Sequence, residues 1–303
     1  MPELPEVETL KLGLQKYLVG HKILDVEVRV AKIFQGNTKD IIGAKVKDIK
    51  RAGKGLIIEL DNGFDLVIHL KLTGQVIYRD KKTANIKLSS KAGGQLPNKF
   101  THVIFTLDDN AFLFYNDVRR FGWIKVIKAS DLQTLPFFKE MGPEPSVTKV
   151  SSGQAILEPK KFEEILSKSS SPVKIILMDQ KRIGGIGNIY ANDALFLAGI
   201  DPRRPAKQIT KDEAGKLYKA ILAVLKNGLK YGGASDVDFV NVLGQEGKYQ
   251  DYFLAYGKEG EKCSICHSTL RDKPSGSDLK SGGIIEKIQL GGRGTYFCPK
   301  HQK

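Results

Sequence analysis

Two apolar stretches, each interrupted by a tight-turn sequence, commit the first half of this chain to β-sheet. Leu56 to Leu60 leads into Asp61-Asn62-Gly63 and then Phe64 to Leu70. Asn-Gly tolerates the positive φ angles that a hairpin turn requires. Val103, Phe105 and Leu107 precede Asp108-Asp109-Asn110, with Phe112 and Phe114 beyond. Strand patterning extends from about residue 23 to 128, broken by a polar, Lys- and Gly-rich stretch from Arg79 to Phe100 that reads as a loop insertion. A helix precedes the strands: Val7, Leu10, Leu14 and Leu18 recur at spacings of three and four, with Pro5 in the first turn and Gly20 just past the end. These patterns predict a β-sandwich with the first helix packed on it.

The pattern then becomes helical. Pro136, Gly142, Pro143 and Pro145 mark a linker at 129–147. Phe162, Ile165 and Leu166 fall within a helix from Pro159 to Ser167. Ser171 and Pro172 suit the N-cap and first turn of a short helix reaching Gln180. Gly184, Gly185 and Gly187 punctuate a turn, after which Asn188 is placed to cap a helix ending at Gly199. Thr210 and Glu213 form a capping box for a long helix bearing Leu217, Ile221, Val224, Leu225 and Leu229. A length of 303 residues suits two domains of about 150 residues each.

Charge narrows the partner. Lys plus Arg number 48 against 34 Asp plus Glu, a formal +14 that points to a polyanion, either nucleic acid or a membrane surface. No apolar run approaches the roughly 20 residues of a membrane-spanning helix. The start MPELPEVETL is acidic and carries two prolines, unlike a secretory signal. Three cysteines cannot all pair internally, which fits a reducing compartment.

Four groups of residues carry chemistry. Pro2 follows the initiator methionine, and a small second residue permits its removal. The freed secondary amine is a nucleophile able to form an iminium ion with a sugar aldehyde carbon. Its ordinary pKa of about 7.7–8.0 falls further at the positive end of a helix dipole. Glu3 stands beside it as proton donor or acceptor, and Glu6 lies one turn on. An ordinary helix start with a dipole-complementing acidic turn uses the same residues. At the other terminus, Cys263-x-x-Cys266 and Cys298-x-x-His301 have the spacing of tetrahedral zinc ligands. His267 is a rival fourth ligand, and free cysteines with a terminal histidine are the metal-free alternative. Residues 284–297 read as a hairpin with Arg293 at its tip, either clamping a phosphate or simply solvated. Ile183-Gly184-Gly185-Ile186-Gly187-Asn188 can expose helix-terminal amides to a phosphate, or be a plain interhelical turn. In the strand region, Lys54, His69, Leu72 and Arg119-Arg120-Phe121 combine cations with groups able to enter a DNA stack. Each also suits a structural role.

Together these pieces resemble the formamidopyrimidine-DNA glycosylase and endonuclease VIII family. MPELPEVET matches its start, and HLKLTG at 69–74, THVIFTLDD at 101–109, DVRRFG at 117–122 and MGPEP at 141–145 follow in order. IGGIGNIYANDALFLAGIDP at 183–202 resembles its helix–two-turn–helix segment, and GGRGTYFCPKHQ at 291–302 its zinc-finger hairpin. The resemblance implies an α+β chain: a catalytic β-sandwich over 1–128, the linker, a helix–two-turn–helix DNA-binding domain over 148–257 and a zinc finger over 258–303. It implies a monomeric, cytoplasmic, bifunctional enzyme acting on double-stranded DNA with oxidised bases or abasic sites, the DNA lying between the domains. Oxidised purines (8-oxoguanine, formamidopyrimidines) would be excised and the backbone cut by β,δ-elimination. Pro2 would attack C1′, Glu3 would handle the proton that opens the sugar, Glu6 would belong to the lesion pocket, and Lys54 would contact phosphate and support the chemistry. Asn188 and Arg293 would grip flanking phosphates, with His69 a further backbone contact. Leu72, Arg119 and Phe121 would fill the hole left by the extruded base. One structural zinc ion would sit on Cys263, Cys266, Cys298 and His301, and no redox or nucleotide cofactor is implied. The chain departs from the family in two places. The family finger has four cysteines and a shorter gap between the pairs, and Leu72 stands where the purine-specific branch has methionine. Leucine there resembles the endonuclease VIII branch, which prefers oxidised pyrimidines, whereas the start and DVRRFG match the purine branch.

Overall fold

The computed structural model describes residues 1–146, 155–271 and 283–303. Helix α1 (Leu4–Tyr17) is followed by strands β1 (Ile23–Val28), β2 (Phe34–Gln35), β3 (Val46–Ala52), β4 (Gly55–Leu60), β5 (Phe64–His69), β6 (Gly74–Arg79), β7 (Thr101–Leu107), β8 (Phe112–Asp117) and β9 (Trp123–Lys128). Helices α2 (Pro136–Lys139), α3 (Pro159–Ser167), α4 (Val173–Met178), α5 (Asn188–Ala198), α6 (Lys211–Lys230) and α7 (Ser264–Arg271) come next. Strands β10 (Glu286–Leu290) and β11 (Arg293–Phe297) end the chain. The described residues divide into two compact units. One holds 1–140 and 228–250, the other 141–146, 155–227, 251–271 and 283–303.

The first unit contains two sheets, ordered β1-β7-β8-β6 and β2-β9-β5-β4-β3. Both predicted hairpins form. β4 and β5 pair from Gly55↔His69 to Glu59↔Asp65, and Gly63 takes the positive φ of +84° that the turn demands. β7 and β8 pair across a turn in which Asp109 and Asn110 are left-handed. Side chains alternate about the sheets, so Leu56, Ile68 and Phe105 face one core, onto which α1 packs Val7, Leu10 and Leu14. This is the expected sandwich with a packed helix. The stretch between Arg79 and Phe100 carries one short 3₁₀ turn, Ser90–Ala92. It is pinned to the 228–250 segment: the Ser89 amide donates to Gly244 O at 2.8 Å, and Arg79 Nη2 to Leu243 O at 3.0 Å.

The described part of the 129–147 stretch carries a 3₁₀ turn, Ala129–Thr134, and α2, which buries Phe138. Two local readings need correction. Helix α4 begins at Val173 with Pro172 rather than Ser171 in the cap position, and stops at Met178 instead of Gln180. Helix α5 is capped by Gly187, so Asn188 is its first helical residue. Proline supplies a helix-compatible φ without a capping side chain, and glycine has no side chain at all. The α3 boundaries, the Gly199 stop (φ +72°) and the capping box agree with expectation. In that box, Thr210 N donates to Glu213 Oε2 at 2.8 Å and Glu213 N to Thr210 Oγ1 at 3.3 Å.

Candidate active site

The start of α1 is held by its own acidic residues. Glu3 is the N-cap, and its amide donates to Glu6 Oε2 at 2.7 Å in a capping-box arrangement. The other Glu6 oxygen accepts the Ala234 amide at 2.8 Å. A Cβ on Gly233 would lie 3.0 Å from Glu6 Cγ, so the loop can approach this closely only as glycine. Pro2, Glu3 and Glu6 are all buried. One turn further, Glu8 Oε2 accepts Arg51 Nε at 2.7 Å, with both side chains almost fully buried. Arg51 Nη1 also donates to Gly53 O at 2.9 Å, where the chain turns at φ +53° between β3 and β4. Lys54 occupies that turn and is 5% exposed. Helix α1, which Pro2 precedes, is therefore tied through one charged pair to the turn that presents Lys54.

His69 ends β5, directly across from Gly55. Its Nδ1 accepts the Lys71 amide at 3.0 Å, which leaves the proton on Nε2. Desolvation, with the charges of Lys71 and Lys54, pushes the imidazole down to about 3. The ring packs edge-on against Phe137 at 5.0 Å and beside Trp123 at 5.8 Å. A neutral, rigidly held N–H donor results. Leu72 follows at a half-buried position. Arg119 and Phe121 project from the loop after β8, the guanidinium 4.7 Å from the ring centroid and Phe121 54% exposed. The first unit thus gathers Pro2, Glu3, Glu6, Lys54, His69, Leu72, Arg119 and Phe121.

In the second unit the glycine-rich turn is organised by Gln180, a residue the sequence reading did not single out. Its Oε1 accepts Gly185 N at 3.0 Å and its Nε2 donates to Ile186 O at 2.7 Å. Asn192, also missed, joins the next two features. Its Nδ2 donates to Asn188 O at 2.6 Å, and its Oδ1 accepts the Tyr296 amide of β11 at 2.8 Å. Its visible signal is its place one turn beyond Asn188, beside Asp193, on a helix whose remaining residues are largely apolar. β10 and β11 form the expected hairpin through Gly291 and Gly292, with Leu290 opposite Arg293, which is exposed. Lys174 of α4 is fully buried and supports this hairpin, donating from Nζ to Gly294 O at 3.0 Å and Thr295 Oγ1 at 2.7 Å.

Cys263, Cys266 and Cys298 bring their sulfurs within 4.8 Å of one another. A Cβ on Gly283 would lie 2.2 Å from Cys298 Sγ and 3.2 Å from Cys266 Sγ, so the backbone closes over the sulfurs only because residue 283 is glycine. Three thiols in this packing fit a soft cation such as zinc. Neither His301 nor His267 joins the three sulfurs. His301 Nε2 instead donates to Phe196 O at 2.7 Å. Among the described residues no helix is long and apolar enough to cross a membrane.

A β-sandwich with a proline at position 2 just ahead of a capped helix, joined in one chain to a glycine-turn helical segment and a cysteine-bearing hairpin, defines a class: DNA glycosylases of the helix–two-turn–helix type. Family models described as the formamidopyrimidine-DNA glycosylase N-terminal domain and the formamidopyrimidine-DNA glycosylase H2TH domain match residues 1–124 and 141–239. Formamidopyrimidine-DNA glycosylase of Streptococcus mutans is 34% identical over 100% of both chains. That of Desulforamulus reducens is 36% identical over 100% of this chain and 99% of its own. Wild-type Lactococcus lactis Fpg, solved with DNA containing N7-benzyl-Fapy-dG, has a TM-score of 0.81 at 33% identity and full coverage of both chains. The same protein solved with DNA containing an oxidised pyrimidine gives 0.80 at 33% identity, again with full coverage of both. The chain belongs to the formamidopyrimidine-DNA glycosylase family.

Proposed function

We propose that this base-excision glycosylase and abasic-site lyase removes oxidised purines, 8-oxoguanine and formamidopyrimidines, from double-stranded DNA through a covalent Pro2 intermediate. The observation that carries the reading is the start of α1, where a proline follows Met1 and precedes an acidic N-cap fixed by Glu6. Removal of Met1 leaves the Pro2 nitrogen as a secondary amine at the positive end of the helix dipole, where its neutral form is favoured.

The damaged nucleotide leaves the stack, since C1′ is out of reach within the duplex. The Pro2 nitrogen then bonds to C1′ as the bond from C1′ to the base breaks and the base departs with a proton. Glu3 protonates the ring oxygen, the sugar opens, and the nitrogen lone pair completes an iminium ion. The iminium acidifies C2′. Loss of a C2′ proton expels the 3′ phosphate, a second elimination expels the 5′ phosphate, and water releases the sugar remnant from Pro2. Lys54 stabilises the phosphate charge, His69 donates its neutral Nε2–H, and Asn188 and Arg293 bind flanking phosphates. Leu72, Arg119 and Phe121 occupy the vacated space, whose neglect would cost a few kcal/mol of unstacking.

Zinc on Cys263, Cys266, Cys298 and His301 would be structural and take no part in bond breaking. The Nε2–H bond to the Phe196 carbonyl leaves the His301 lone pair on Nδ1, the tautomer a ligand requires. Leu72, together with the relative solved on an oxidised pyrimidine, favours a second reading in which oxidised pyrimidines are also excised. Single-turnover excision of 8-oxoguanine and of thymine glycol from otherwise identical duplexes tests both. Faster release of 8-oxoguanine supports the purine reading, and faster release of thymine glycol replaces it.

A further inference from the structure

Two loops carry the groups that enter the DNA stack in this reading, and one buried node joins them. Asp117 ends β8 opposite Gly74, the first residue of β6, and its side chain is 1% exposed. Its Oδ1 accepts the Thr73 hydroxyl and, at 3.2 Å, the Arg119 amide. Its Oδ2 accepts the Gly122 amide at 2.7 Å. The Thr73 hydroxyl, while donating to Asp117, accepts the Arg119 amide at 2.9 Å. One buried hydroxyl and one buried carboxylate therefore bind the residue after Leu72 to both ends of the Arg119–Gly122 loop.

The surroundings leave this node little freedom. A Cβ on Gly122 would lie 1.9 Å from Tyr115 Oη, and one on Gly74 would lie 2.8 Å from the same oxygen. Tyr115 thus wedges its hydroxyl between the two loop ends. Below the node, His102 Nε2 donates to Asp117 O at 2.7 Å, and the Asp117 amide donates to Phe100 O at 2.9 Å. Lys71 and Arg120 both hold left-handed backbone, φ +53° and +57°, which non-glycine residues adopt only when their surroundings impose it.

We propose that Thr73 and Asp117 are positioning residues that make Leu72, Arg119 and Phe121 a single pre-set wedge, so that both loops enter the duplex together when the damaged nucleotide turns out. This inference rests on the functional reading above. Neither residue is called on to touch DNA. Their contribution is to hold the wedge in the geometry that base extrusion needs, which matters most when a stacked base must be displaced.

The test compares a duplex containing 8-oxoguanine with one already containing an abasic site, where no base remains to be extruded. Thr73→Val removes the hydroxyl at nearly constant volume, and Thr73→Ser keeps it. The wedge account expects Thr73→Val to lower kcat/KM on 8-oxoguanine about tenfold, largely through kcat, while abasic cleavage stays within about twofold. Thr73→Ser should restore most of the loss. Thr73→Val should add little to Phe121→Ala, because a wedge already broken cannot be broken again. Equal losses on both substrates, no rescue by serine, or independent effects of Thr73→Val and Phe121→Ala overturn the proposal. If Thr73→Val does not fold, Asp117→Asn, which keeps the shape and removes the charge, is measured with the same two substrates and the same criteria. A wild-type chain that forms no borohydride-trapped adduct on either substrate overturns the functional reading itself, an outcome distinct from all of these.

Discussion

Asp65 and His69 lie on the same strand, and burial shifts them in opposite directions. Desolvation and the neighbouring Glu59 carboxylate push Asp65 up to about 6, while desolvation pushes His69 down to about 3. Both shifts favour the neutral form. An acid whose folded pKa is raised stabilises fully below its unfolded value of 3.8, and that contribution is lost as pH rises through about 6. A histidine whose folded pKa is lowered behaves the other way, and its contribution fades as pH falls below 6.5. Asp65→Asn should therefore raise stability at pH 7.5 by about 1–2 kcal/mol and change little at pH 4. Urea unfolding at the two pH values checks this, and an equal effect at both contradicts it. At this scale the sequence offers candidate residues for chemistry but not what holds them. Pro2, Lys54 and Arg293 were visible as residue types in suggestive places. Gln180, Asn192 and Lys174 were not, because the partners of Asn192 and Lys174 on the hairpin lie more than a hundred positions away, and an amide side chain such as Gln180 advertises no function.

Elements closed by local interactions were the most legible. The β4–β5 hairpin is set by Asp61-Asn62-Gly63, and the start of α6 by Thr210 and Glu213, because turn and cap chemistry acts over a few residues. Helix starts that lack a polar cap were misjudged by one residue, as at Pro172 and Gly187. Helix α2 was missed because a four-residue helix that starts at a proline leaves no period to detect, and it forms by packing Phe137 against His69 and Trp123. The entry to β9, where Gly122 meets Tyr115 of β8, offers a direct test of such packing. Gly122→Ala places a methyl 1.9 Å from Tyr115 Oη and 2.9 Å from His69 O. It should destabilise the protein by about 1–3 kcal/mol. Tyr115 Oη is buried without a hydrogen-bond partner, so Tyr115→Phe should be neutral or stabilising, and should recover part of the loss in the double variant. Thermal unfolding of the four proteins measures the cycle, and strict additivity contradicts the predicted clash.

For the molecule as a whole, the α+β class and the sandwich were legible, but not the sheet order. Pairings such as β1 with β7, or the parallel contact of β2 with β9, join segments far apart in the chain and are decided by core packing. Nor does the sequence show that 228–250 groups with the N-terminal residues. The gathering of Cys263, Cys266 and Cys298 was legible in their spacing. The structure gathers three sulfurs and leaves His301 against Phe196. Cys298→Ser should therefore abolish stoichiometric zinc and expose the tail to protease. Full zinc content by native mass spectrometry would contradict the ligand assignment. The proposed chemistry turns on a single bond, from the nitrogen of Pro2 to the sugar of the damaged nucleotide. The direct measurement is borohydride capture on 8-oxoguanine duplex, followed by peptide mapping of the crosslink. The captured chain should begin at Pro2 and carry deoxyribose on its imino nitrogen. A sugar found on Lys54 or any other lysine, or a crosslinked chain that still carries Met1, would contradict it.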